Sequence, residues 1–147
     1  TFDGVKRRYT VKTVGNNIYV DDYAHHPTAI RYVIEATRSR YPHKKIVAIF
    51  QPDRFSRGLR FAKEFAEAMD LADYPFFVHF PENAKKEPGI DIDIYDIAKY
   101  NPRAQVIHED EEAVKLLSQY DNVVYLFMSS KDIYKLEDQV IAYKESH

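Results

Sequence analysis

The chain has 147 residues, with 21 Lys and Arg against 23 Asp and Glu, a net charge of −2 and no cysteine. That length suits one domain with a sizeable core. The charge balance leaves no basic field for nucleic acid or an anionic membrane. Disulfides and thiolate metal sites are excluded, which fits a reducing compartment, and no apolar run approaches the roughly 20 residues needed to span a bilayer.

The stretch from Tyr9 to Tyr23 reads as two short strands around a Gly15-Asn16-Asn17 turn. Pro27 and Thr28 open a helix whose buried face carries Ile30, Val33, Ile34 and Thr37 or Tyr41, and Pro42 stops it. The apolar run 45–51 reads as a strand buried on both faces. Ser56 is the expected N-cap of the next helix, with Phe61, Phe65 and Met69 along one side. A strand is expected over 74–80, a loop over 81–89, a short helix over 92–100 and a strand over 104–109. A helix over 110–119 turns Ala113, Leu116 and Leu117 inward, 122–128 is the last central strand, and a final helix runs from about Asp132 to Ala142. Strands alternating with helices predict a three-layer α/β/α domain, its sheet mostly parallel behind a leading antiparallel hairpin. The only glycines are Gly4, Gly15, Gly58 and Gly89, so no glycine-rich phosphate loop is available.

In open α/β sheets, ligands bind beyond the carboxyl ends of the strands. Three polar clusters fall there: Asp21 to Pro27, Gln51 to Arg57, and Ser129 to Asp132. In the second, Arg54, Arg57 and Arg60 recur every three residues near a helix start, where cations are mildly unfavourable. A bidentate clamp on a carboxylate or phosphate would explain them; pairing with Asp53, Glu64 or Asp22 is the plainer account. In the first, adjacent carboxylates could hold Mg²⁺, orient a Lys or a ribose hydroxyl, or cap the helix that follows. On an extended strand Asp21 and Asp22 point to opposite sides, so one of them faces the site. His25 and His26 lack the spacing of a zinc site. Ser129 or Ser130 would cap the last helix, with Asp132 in its first turn. In the run 5–9, Lys6 and Arg8 share one side and Arg7 takes the other. No Ser-His-Asp arrangement or nucleophile elbow is present.

The runs GVKRRY at 4–9, DDYAHHPT at 21–28 and FQPDRFSR at 50–57, in that order and spacing, resemble the C-terminal domain of the Mur ligases. Within the family they are most similar to members that join L-alanine to UDP-N-acetylmuramate. The resemblance covers essentially the whole chain. It implies a dinucleotide-binding-like, Rossmann-like domain, here residues 1–147, that closes over the site of a three-domain cytoplasmic enzyme of peptidoglycan synthesis. The two preceding domains bind the UDP-sugar and carry the P-loop, ATP and Mg²⁺. ATP converts the sugar's carboxylate to an acyl phosphate, which the amine of alanine attacks. Carried over by position, Arg8, Asp22 and Asp132 are expected near the nucleotide. Tyr23 and His25 are expected to line the amino-acid side of that interface. Arg54 and Arg57 are expected to contact the alanine carboxylate or the reacting phosphate. No catalytic residue and no metal ligand is expected in this domain itself, and the 147 residues alone are expected to be inactive for want of the P-loop lysine.

Two positions depart from the family pattern. Asp53 stands where a His is common, and Ser129-Ser130-Lys131-Asp132 replaces a glycine-rich step. A second reading within the family is the recycling ligase that joins UDP-N-acetylmuramate to a tripeptide, which shares an element like that at 21–30. A third, of another class, is a non-catalytic α/β ligand-binding module.

Overall fold

The computed structural model describes residues 8–82, 84, 87–129 and 133–147. The predicted alternation forms β1 (Thr10–Val14), β2 (Asn17–Asp22), α1 (Pro27–Arg40), β3 (Lys45–Phe50), α2 (Phe55–Arg60), α3 (Ala62–Met69) and β4 (Tyr74–Val78). It continues with α4 (Tyr95–Ala98), β5 (Gln105–Ile107), α5 (Glu111–Ser118), β6 (Val123–Met128) and α6 (Tyr134–Ser146). The six strands lie in the order β1-β2-β6-β3-β4-β5, antiparallel only between β1 and β2. The hairpin turns on Gly15 and Asn16; Gly15 has φ +60, and Asn17 already pairs with Val14.

The apolar runs of the central strands alternate between two cores. Ile46, Ala48 and Phe50 of β3, with Val124, Leu126 and Met128 of β6, pack under α1, α3 and α4. Val47 and Ile49, with Val123, Tyr125 and Phe127, pack under α5 and α6. Period-two side-chain direction thus makes one strand serve both faces, giving the expected three layers. Tyr19 and Tyr125 stack at 5.0 Å within the second core, and the Tyr125 hydroxyl donates to the Leu117 carbonyl at 2.6 Å. Burial pushes the Tyr19 phenol up to about 12.

Several element ends differ from expectation. The helix after β3 starts two residues earlier, with Arg54 rather than Ser56 at the N-cap, and breaks at Phe61 (φ −114, ψ 22) into α2 and α3. The Ser56 amide donates instead to the Glu87 carboxylate at 3.0 Å, so the 81–90 loop satisfies this helix end. In α5, Asp110 accepts from the Ala113 amide as N-cap, and Val114 is buried while Leu116 is only partly so. The last helix starts at Tyr134, with Ile133 at its N-cap. Ser129 is fully buried and its amide donates to the Asp22 carbonyl at 3.2 Å, extending the sheet rather than capping a helix. Ser130, Lys131 and Asp132 lie outside the described residues, as do Lys6 and Arg7.

Candidate functional site

The strand order brings the carboxyl ends of β2, β6 and β3 side by side. The Ser129 amide ties β6 to β2 at Asp22, and the Gln51 amide donates to the Met128 carbonyl at 3.1 Å, tying β3 to β6. After β2 and β3 the chain passes to the α1–α4 face, whereas α6 follows β6 on the opposite face. A parallel sheet opens a crevice where successive connections leave on opposite faces. The first two polar clusters border it, and the third starts there at Ser129.

Asp22 ends β2 only 5% exposed. One carboxylate oxygen accepts the Tyr9 amide at 2.8 Å and the other accepts the Ala24 amide at 2.8 Å. Burial lifts its carboxyl above the usual carboxylate range, partly offset by those two amides and by Arg8. Tyr9 needs the tether, because its φ of 52 is a left-handed conformation costly for a bulky residue. Asp22 therefore shapes the corner by holding the backbone on both sides of it. Asp21 points to the opposite side, toward Glu137 on α6, as strand alternation requires.

Beyond Asp22 an aromatic run lines the edge. Tyr23 meets His25 edge-on at 4.9 Å, His25 and His26 lie 5.1 Å apart, and His26 meets Phe61 at 6.3 Å. The His25 Nδ1 lies 2.8 Å from the Tyr23 carbonyl, which can only accept. That contact puts a proton on Nδ1 and turns Nε2 away from the backbone, as an acceptor in the neutral ring. His26 is the N-cap of α1 but makes no side-chain cap. Burial lowers its pKa, as do Arg57 and His25 beside it. Arg8, Asp22, Tyr23, His25, His26 and Tyr32 help to line a cavity of about 570 Å³.

The arginine pair stands beside this run. His25, Asp53, Arg54 and Arg57 line one narrow crease together with Phe50, Gly58 and Phe65, too tight in this structure to admit a water molecule. Arg57 Nη1 is 3.8 Å from Asp53 Oδ1, so the plainer account of the arginines holds in part for Arg57. Tyr23, His25, Arg54 and Arg57 thus meet at one corner, with Arg8 and Asp22 in the adjoining cavity. The predicted Asp132 lies outside the described residues.

Sequence reasoning passed over a neighbouring network. Buried Gln51 donates from Nε2 to the His79 carbonyl at 2.9 Å and to Glu109 at 2.8 Å. The His79 and His108 rings stack at 3.8 Å, and burial together with His108 lowers the His79 pKa. Each histidine follows its strand by one residue, so the carboxyl-end rule used above was the signal that could have found them. Among the described residues no group of three or more His, Cys, Asp or Glu side chains could hold a metal ion. Asp22 is committed to backbone amides, and the described residues do not form a Mg²⁺ site. No described helix is long and apolar enough to cross a membrane.

The domain is a Rossmann-like α/β fold with two arginines and a histidine beside one another at the carboxyl edge of its sheet. Residues 7–130 match the family model for the Mur ligase, glutamate ligase domain, and the chain belongs to that family. Solved structures resemble it along nearly its full length. The UDP-N-acetylmuramate-alanine ligase of Thermotoga maritima is 29% identical with a TM-score of 0.71, over 96% of this chain and 30% of that one. A domain of a candidate UDP-N-acetylmuramate:L-alanyl-γ-D-glutamyl-meso-diaminopimelate ligase from Haemophilus ducreyi is 25% identical with a TM-score of 0.68, over 93% of this chain and 99% of that one. The murein peptide ligase of Psychrobacter arcticus shares the fold, with a TM-score of 0.75 at 21% identity over 97% of this chain and 30% of that one. The chain therefore spans about 30% of the length of the complete ligases it matches. Other members of the fold have been solved with ADP, and with AMPPNP and a Mn ion.

Proposed function

We propose that these 147 residues are the C-terminal domain of a cytoplasmic, ATP-dependent ligase that joins L-alanine to UDP-N-acetylmuramate through an acyl phosphate during peptidoglycan synthesis. The convergence of Arg54 and Arg57 with His25 on one edge carries this reading, because it supplies two fixed cations beside an imidazole acceptor. Arg54 and Arg57 hold the carboxylate of the amino acid or the phosphate being transferred. Tyr23 and His25 line the amino-acid side. Arg8 neutralises nucleotide phosphates, and Asp22 and Asp132 contact the nucleotide. ATP with Mg²⁺ supplies carboxylate activation, and the P-loop that holds it belongs to the domains this chain closes against.

A second reading, the tripeptide-recycling ligase, is favoured by the 25% identity to the Haemophilus ducreyi domain. Phosphate release by the full-length protein, with ATP, Mg²⁺ and UDP-N-acetylmuramate, separates the readings. Release that depends on L-alanine is expected. Release that depends on the tripeptide instead supports the second reading, and no release with either supports a non-catalytic ligand-binding module.

A further inference from the structure

We propose that Glu109 is a positioning residue for the ligase reaction: through the buried amide of Gln51 it fixes the start of the loop that carries Arg54 and Arg57. The inference rests on the clamp reading above and adds to it a residue that no sequence motif marks.

Gln51 is the first residue after β3 and is 2% exposed. Its backbone amide donates to the Met128 carbonyl of β6 at 3.1 Å. Its side-chain Nε2 donates to the His79 carbonyl at 2.9 Å and to Glu109 Oε1 at 2.8 Å. A carbonyl and a carboxylate only accept, so the amide turns its NH₂ toward them and both of those N–H groups are used. One residue at the end of β3 is thus tied to β6, to the segment after β4 and to the segment after β5. The last two are locked to each other. Val78 and Ile107 are register partners, and one residue further the His79 and His108 rings stack at 3.8 Å. The His79 amide also donates to the Ile107 carbonyl at 3.0 Å.

From this anchor the chain leads directly to the arginines. Pro52 comes next, buried and fixed in φ, and Arg54 is the N-cap of α2. A turn of Gln51 therefore shifts Arg54 and Arg57 against His25, which enters from β2 and does not turn with them. Both arginines are partly exposed, so a ligand can reach them from solvent although the crease between them is closed. Glu109 lines a different cavity of about 560 Å³, with His79, Phe80, Pro81, Glu82 and His108, and is not part of that crease. Its effect on the arginines passes through Gln51. Without its carboxylate one buried N–H loses its acceptor, and the amide must turn to find another.

The test uses the full-length ligase, with kcat/KM for L-alanine, KM for UDP-N-acetylmuramate and thermal unfolding. Glu109→Ala is expected to lower kcat/KM for L-alanine about tenfold, the effect of a misplaced binding group, with KM for the UDP-sugar within about twofold. Glu109→Gln keeps an accepting oxygen without the charge and should restore kcat/KM to within about twofold of wild type. Gln51→Met removes the donor in a side chain of similar volume and should match Glu109→Ala. Adding Glu109→Ala to Gln51→Met should then change kcat/KM by less than about twofold. An unimpaired Gln51→Met or Glu109→Ala overturns the proposal, as do equal losses in Glu109→Ala and Glu109→Gln or losses that multiply in the double variant. Any of these leaves the clamp reading intact if Arg54→Ala still impairs use of alanine. An unimpaired Arg54→Ala overturns the clamp reading, and the proposal with it.

Discussion

Replacing Glu137 by Gln should flatten the pH dependence of this domain's stability. Glu137 lies on α6 with 1% of its surface exposed. Its Oε1 is 3.4 Å from Lys12 Nζ of β1, and among the described residues Oε2 has no hydrogen-bond partner. Burial pushes the carboxyl up to about 7; Lys12 opposes that rise, and Asp21 of β2 and Asp138 add to it. In the unfolded chain the group titrates near 4.5. Between those values the folded state holds a proton that the unfolded state has lost, so stability falls as pH rises and is constant again above about 7. At ~1.4 kcal/mol per pH unit the total loss is roughly 3 kcal/mol, a large share of the 5–15 kcal/mol typical of a domain. The uncharged variant keeps a hydrogen-bonding group at Lys12 and removes the titration. Urea unfolding of the protein between pH 4.5 and about 8 measures this. The wild-type midpoint should fall with pH while that of Glu137→Gln stays level, so the variant becomes the more stable protein above neutrality. Parallel curves would refute the account of a buried, half-satisfied carboxyl.

Asp22→Ala should cost about 2–4 kcal/mol, since it leaves the Tyr9 and Ala24 amides without an acceptor. Asp22→Asn should cost about half as much, because one carbonyl oxygen remains; equal costs in urea unfolding would argue against the two-amide tether. Gly58→Ala sets a helix gain of up to about 1 kcal/mol against a methyl that meets Phe80 at 3.1 Å, Ile92 at 3.2 Å and Ile97 at 3.4 Å. Overpacking at three contacts should win, lowering stability by about 1 kcal/mol, and a stabilised variant would show that the side chains of Phe80, Ile92 and Ile97 give way freely.

The architecture was legible because its strands are short apolar runs set between amphipathic helices, and a parallel sheet leaves few other ways to bury them. The same periodicity could not show that β6, the last strand in sequence, lies between β2 and β3. That insertion puts the Gln51 amide on Met128 and the Ser129 amide on Asp22, and so builds the corner. Its residues could be named from three short motifs, but their geometry depended on partners far away in sequence. Glu87 satisfies the helix end that Ser56 was expected to cap, 31 residues distant. Tyr9 reaches Asp22 across the hairpin, and Gln51 reaches Glu109 across 58 residues. Each is a single polar contact with no periodic trace.

Such contacts also decide what the charged side chains are free to do. Asp22, the acid the motif singles out, has both oxygens engaged by backbone amides. A carboxylate locked by two amides can shape a site but changes little when a ligand arrives.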